Sequence, residues 1–115
     1  MSVPLYQAKA ELFRTLGHPV RIRVLELLQH GPRPVRDLLD EIDVEASNLS
    51  QQLAVLRRAG VVTSYRDGSL VMYALSTTDV ADLLAVGRRI LGSLLSDREG
   101  LLDGLRAQSE SEPPA

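Results

Sequence analysis

Between Ala59 and Gly60 the chain changes its hydrophobic period, and that switch restricts the fold more than any other feature of the sequence. Before it, in "EASNLSQQLAVLRRAG", Leu49, Leu53 and Leu56 recur at intervals of three and four residues, the stripe of an amphipathic helix with one face toward a core. After it, "VVTSYRDGSLVMYAL" holds two β-rich runs around Asp67-Gly68, a pair whose tolerance of positive φ suits a tight hairpin turn. Gly60 itself is a C-terminal stop for the helix.

The segments upstream read as three more helices. The first runs from about Leu5 to Leu16, with Leu5, Ala8, Leu12 and Leu16 on one stripe and Tyr6 and Phe13 on a second, which suggests two neighbours. In "LGHPVRIRVLELLQHGP", Pro19 suits a first helical turn and Gly31-Pro32 is a strong stop, with Ile22, Leu25 and Leu28 facing inward. "RPVRDLLDEI" predicts a third helix with Val35, Leu38, Leu39 and Ile42 inward, and "DVEAS" a short turn into the helix described above. Two short helices joined by a tight turn form a helix-turn-helix. Downstream, Ser76 and Asp79 have capping spacing before a long helix whose apolar residues, Val80 to Leu95, cover about half its circumference. So wide a face exceeds what a small domain can cover, and with the doubly striped first helix it predicts a homodimer interface. The residues expected there are Leu5, Leu12, Leu16, Leu83, Gly87, Ile90, Leu91 and Leu94. "SDREGLLDGLRA" is either a further short helix or an extension of the long one; the polar, Pro-containing tail is expected to be disordered. The organisation is one domain over residues 1–106 and a disordered tail over 107–115.

What the outward face of the Glu45–Arg58 helix is for follows from its side chains. Opposite the leucines lie Ser47, Gln51, Ala54 and Arg58, flanked by Asn48, Ser50 and Val55, with no acid among them. Solvated helices usually mix Glu with Lys, whereas Ser, Asn, Gln and Arg can read base edges and grip phosphates. The net charge of -2 argues mildly the other way, but it hides a segregation. Arg14, Arg21, Arg23, Arg33 and Arg36 are accompanied by Glu26 alone, and Arg57, Arg58 and Arg66 follow the helix, while acids cluster at 37–45 and beyond 79. The arginines away from the helix read equally well as a solvated face.

The order of elements is that of a winged helix, mainly α with a β-hairpin wing, and "LGHPVRIRVLELL", "SNLSQQLAVLRRAGVV" and "RDGSLVMYAL" resemble the ArsR/SmtB family of bacterial winged-helix repressors over roughly Ala10 to Leu95. The resemblance implies a homodimer joined by its first and last helices and a double-stranded DNA operator as partner. It places Ser47, Asn48, Ser50, Gln51 and Gln52 at the reading end of the recognition helix, Arg57 and Arg58 near phosphates, and Arg66, Asp67 and Gly68 at the wing. Many members sense metals through cysteines on the third helix; the corresponding positions here are Pro34 and Arg36, and the chain has no cysteine. Others bind ions between the long helices, where this sequence has Thr77, Asp79, Ile90 and Ser93, of which only Asp79 could ligate. The expectation is a repressor with no cofactor and no metal at these sites. Its signal stays open between a small molecule near Gly87, Gly92 and Ser93, a partner protein, and autoregulation.

The remaining chemistry is bland. His18 reads as a helix-start hydrogen bonder and His30 as a cation at a helix end. Tyr65 and Tyr73 read as packing in the wing or core and Met72 as filler. No nucleophile has a plausible base partner and no glycine loop cradles a phosphate, so an enzyme is not expected. The opening residues are interrupted by Lys9, Glu11 and Arg14, unlike a leader, and no apolar run spans a bilayer, so a soluble cytoplasmic protein with no membrane partner is expected. The competing reading is a winged helix used only for protein contacts, which the absence of an aromatic anchor on the Ser47–Arg58 face disfavours.

Overall fold

Helix punctuation in the sequence sets most of the architecture seen in a computed structural model, which describes residues 2–111. Five helices and three strands follow in the order α1 (Leu5–Leu16), α2 (Pro19–Leu28), β1 (Arg33–Pro34), α3 (Val35–Glu41), α4 (Ala46–Arg58), β2 (Val62–Asp67), β3 (Leu70–Leu75) and α5 (Asp79–Ser111). By internal packing the chain divides into two compact units, the first ending at Ala81.

In the first unit, α2 packs against α4 and β3, and α4 against β2. Their shared interior holds Val24, Leu25, Leu27 and Leu28 of α2, Leu38 of α3, and Leu49, Leu53 and Leu56 of α4, closed by Ile42, Val61, Val62 and Val80. The leucine stripe of α4 is thus the floor of the core, which leaves its opposite face outward. Three devices fix the ends of the elements. The His18 Nδ1 accepts from the Val20 amide at 3.1 Å, capping α2 just ahead of Pro19. At the end of α4, the Gly60 amide donates to the Arg57 carbonyl and the Val61 amide to the Leu56 carbonyl, with Gly60 at φ 77°, a Schellman closure that turns the chain into the wing. The Ser76 hydroxyl lies 2.6 Å from the Gly60 carbonyl oxygen and 2.8 Å from that of Val61, fastening the end of β3 to the same corner.

The sheet differs from a simple hairpin. Its order is β1-β3-β2, all antiparallel, because Arg33 pairs with Tyr73 and Pro34 with Met72. Arg33 and Pro34, which the sequence suggests as the start of the third helix, instead form β1 ahead of it, Pro34 having the extended backbone that its lack of an amide hydrogen allows at a sheet edge. The wing turn is Gly68-Ser69, between the paired Asp67 and Leu70, rather than Asp67-Gly68. Gly68 has φ 64° and Ser69 is not in the positive-φ region, which matches a turn of the type with glycine first. At the start of α5 it is the Thr77 hydroxyl, not Ser76, that accepts from the Asp79 amide.

The second unit is the body of α5. The helix, 33 residues in all and about 50 Å long at 1.5 Å per residue, runs without interruption through the "SDREGLLDGLRA" segment. It also continues through Ala107 to Ser111, where a disordered tail was expected; Gln108 and Glu110 are adequate helix formers and no proline intervenes before residue 113. The remainder of that tail lies outside the described residues. Among the described residues no helix is long and apolar enough to cross a membrane.

Candidate nucleic-acid interface

The outward face of α4 is built as its periodicity demands. Ser47, Ser50, Gln51, Ala54, Arg57 and Arg58 are exposed, while Asn48, Gln52 and Val55 are half-buried along its flanks. Arg66, Asp67 and Gly68 are exposed at the tip of the β2–β3 hairpin. The structure therefore brings the helix residues onto one face and puts the three wing residues on the neighbouring hairpin of the same unit.

Charge on this surface is sorted. Arg14 pairs with Glu11, Arg23 with Glu26 at 3.7 Å and Arg36 with Asp37 at 3.9 Å, each between neighbours in sequence. Among the described residues Arg57, Arg58 and Arg66 have no carboxylate within ion-pair distance. The arginines at the end of α4 and at the tip of the hairpin thus differ from Arg14, Arg23 and Arg36, whose charge is met by a nearby carboxylate. Arg57 and Arg58 also occupy the last turn of α4, where positive charge opposes the helix dipole.

Two of the ten candidate contact residues are tied down within the subunit. The Arg21 Nη1 donates to Gln52 Oε1 at 2.8 Å, and Gln52 Nε2 donates to Asn48 Oδ1 at 3.0 Å. The same guanidinium donates from Nε to the Thr15 carbonyl at 2.6 Å and from Nη2 to that of Arg14 at 3.4 Å, closing the end of α1. Nothing in the sequence signals this, because Arg21 and Gln52 stand 31 residues apart and meet only when α2 packs on α4.

The candidate association surface divides. On α1, Leu5 and Leu12 are exposed, and so are Tyr6 and Phe13. Leu16, expected with them, is 5% exposed and belongs to the subunit's own core, because the chain folds back at Gly17 directly after it. On α5, Ile90, Leu91 and Leu94 are exposed together with Leu95, Leu101, Leu102 and Leu105, while Leu83 and Gly87 are partly covered. Among the described residues no three His, Asp or Glu side chains gather where they could hold one ion. Of Thr77, Asp79, Ile90 and Ser93, on α5 and its lead-in, only Asp79 carries a side chain suited to a tetrahedral metal, so these four residues do not make such a site.

Comparison with known proteins agrees with this geometry. A helix-turn-helix domain model matches residues 16–65. The chain is 55% identical over 107 residues to an uncharacterized HTH-type transcriptional regulator of Mycobacterium tuberculosis, Rv0081, covering 92% of this chain and 94% of that one. It is 44% identical over 87 residues to the HTH-type transcriptional regulator NmtR of the same organism, 72% of each chain. The crystal structure of M. tuberculosis Rv0081 superposes with a TM-score of 0.77 at 56% identity, over 84% of this chain and 98% of that one. The solution structure of the homodimeric winged helix-turn-helix DNA-binding domain of Mb0332 from Mycobacterium bovis, a possible ArsR-family regulator, gives a TM-score of 0.72 at 26% identity, over 81% and 86%.

Proposed function

The chain belongs to the ArsR/SmtB family of winged-helix transcriptional regulators, and from that premise we propose that it acts as a homodimeric repressor on a pseudo-palindromic operator. Each subunit lays α4 in the major groove and its hairpin near the backbone, reading two half-sites about one helical turn, or about 34 Å, apart. Occupying such a site blocks access of the polymerase. The observation that carries this reading is the acid-free outer face of α4, followed by Arg57, Arg58 and Arg66 without carboxylate partners among the described residues.

Roles divide by chemistry. Ser47, Asn48, Ser50 and Gln51, at the N-terminal part of α4, belong to base readout, with Gln52 beside them held by Arg21 and Asn48, and Arg57, Arg58 and Arg66 belong to phosphates. Asp67 and Gly68 shape the wing tip. Among the positions of the two familiar metal sites only Asp79 could ligate, so neither of those sites carries the releasing signal on this reading.

The test is fluorescence anisotropy of the purified protein against duplex DNA from upstream of its own gene, across salt concentrations. Six arginine contacts per dimer, three from each subunit, give log affinity against log salt a slope of about -5. Binding with no preference over random duplex would shift the weight to a module for protein contacts.

A further inference from the structure

We propose that Arg21 sets which base edge the recognition helix can read, acting through Gln52 to fix the amide of Asn48 with its nitrogen outward. The inference rests on the DNA-binding reading above. Its logic is one of donor and acceptor inventory. A guanidinium has only donors, so the Gln52 atom 2.8 Å from Arg21 Nη1 must be the oxygen. That leaves the Gln52 nitrogen facing Asn48, and since an amide nitrogen only donates, the Asn48 atom 3.0 Å away must in turn be its oxygen. The two amides, whose orientation would otherwise be free, are locked in series.

The consequence lies at the end of the relay. Asn48 Nδ2 has no hydrogen-bond partner among the described residues, and no described polar side-chain atom is buried without one, so this nitrogen is accessible. Asn48 lies in the first turn of α4, the part of a recognition helix that meets base edges. A side chain presented there as a donor seeks an acceptor: N7 or O6 of guanine, N7 of adenine or O4 of thymine. It disfavours cytosine, which offers the N4 donor. Arg21 is a positioning residue here, held in turn by the carbonyls of Thr15 and Arg14 at the end of α1.

The experiment uses the full chain and a duplex selected from random DNA by the wild-type protein, with every single base-pair change measured by anisotropy. Asn48→Ala should flatten the preference at one position of each half-site. Gln52→Glu presents acceptors to both neighbours, so Asn48 must turn its nitrogen inward and its oxygen out; the preference at that same position should shift toward cytosine or adenine by about 3- to 10-fold. Arg21→Met, which keeps the apolar stem and removes every donor, should weaken discrimination there; if it melts early, Gln52→Glu alone decides. A Gln52→Glu protein that keeps the wild-type preference, or loses affinity equally for all sequences, overturns the relay. In the DNA-free protein, Gln52→Glu should slow solvent exchange of the Asn48 side-chain amide protons in NMR spectra. Unchanged exchange rejects the amide geometry. Absence of any sequence preference in the wild type with slowed exchange rejects instead the DNA reading, and the specificity role with it.

Discussion

On the proposed reading, base and phosphate contact depend most on Gln51 and Arg58, because both are exposed on the outer face of α4 and neither is tied to another side chain among the described residues. Replacing either with Ala should cost about 1 to 3 kcal/mol of specific binding. The two losses should differ in kind. Gln51→Ala should relax preference at particular base pairs, while Arg58→Ala should weaken all duplexes alike and lower the salt slope by about one; anisotropy across operator variants and salt separates them. His18 makes the opposite case, a polar residue whose work is internal. His18→Ala removes the acceptor for the Val20 amide and should lower stability by about 1 kcal/mol, measured as the urea midpoint at constant slope, while Asn at the same position should keep most of it. The cap was legible from residue type and place, an imidazole immediately before a helix-initiating proline, and so was the exposure of Gln51 on an acid-free face. What Asn48 and Gln52 do to each other was not, since hydrogen bonding across α2 and α4 depends on packing that no local pattern encodes.

At the scale of elements, legibility followed the length of the hydrophobic pattern. The leucines of α4 and the proline and glycine marks around α2 predict helices that the structure has at those places, since several residues vote for each. The strand β1 escaped because a pair of residues ending in proline carries no period, and it forms only by docking on β3. Ser76 misled for a related reason. Its spacing from Asp79 imitates a capping box, but the hydroxyl finds the Gly60 and Val61 carbonyls, which folding brings beside it. The corner so made sets the angle between α4 and the wing and hangs on the left-handed conformation of Gly60. A Cβ there meets no atom within 4 Å, so Gly60→Ala tests backbone strain alone. It should destabilise by about 1 to 2 kcal/mol with the fold retained, read by urea unfolding and circular dichroism. Wild-type stability would mean that the corner does not need the left-handed residue.

For the molecule as a whole, the apolar surface is larger than one subunit uses. Ile90, Leu91, Leu94, Leu95, Leu101, Leu102 and Leu105 lie more than two-fifths exposed along α5, and Leu5, Tyr6 and Phe13 more than half exposed on α1. Leaving such side chains in water forgoes roughly 1.5 to 3 kcal/mol for each that full burial would return, which supports the proposal that a second copy covers these faces. Periodicity made the surplus visible, though it assigned Leu16 to the surface; where an apolar stripe serves two neighbours, the pattern alone does not apportion its residues. Association also bears on function, because one recognition helix reads only a half-site and a pair multiplies the selectivity. Leu94→Asp places a charge within the exposed apolar run of α5 without touching the core of the first unit. Sedimentation should then report monomer where the wild type is dimer, and the wild type's melting temperature should rise with protein concentration while the variant's stays fixed. Specific DNA affinity should fall by about 10³-fold, toward the non-specific level. A monomeric variant that still bound the full operator with wild-type affinity would separate association from recognition and leave the apolar face of α5 to some other partner.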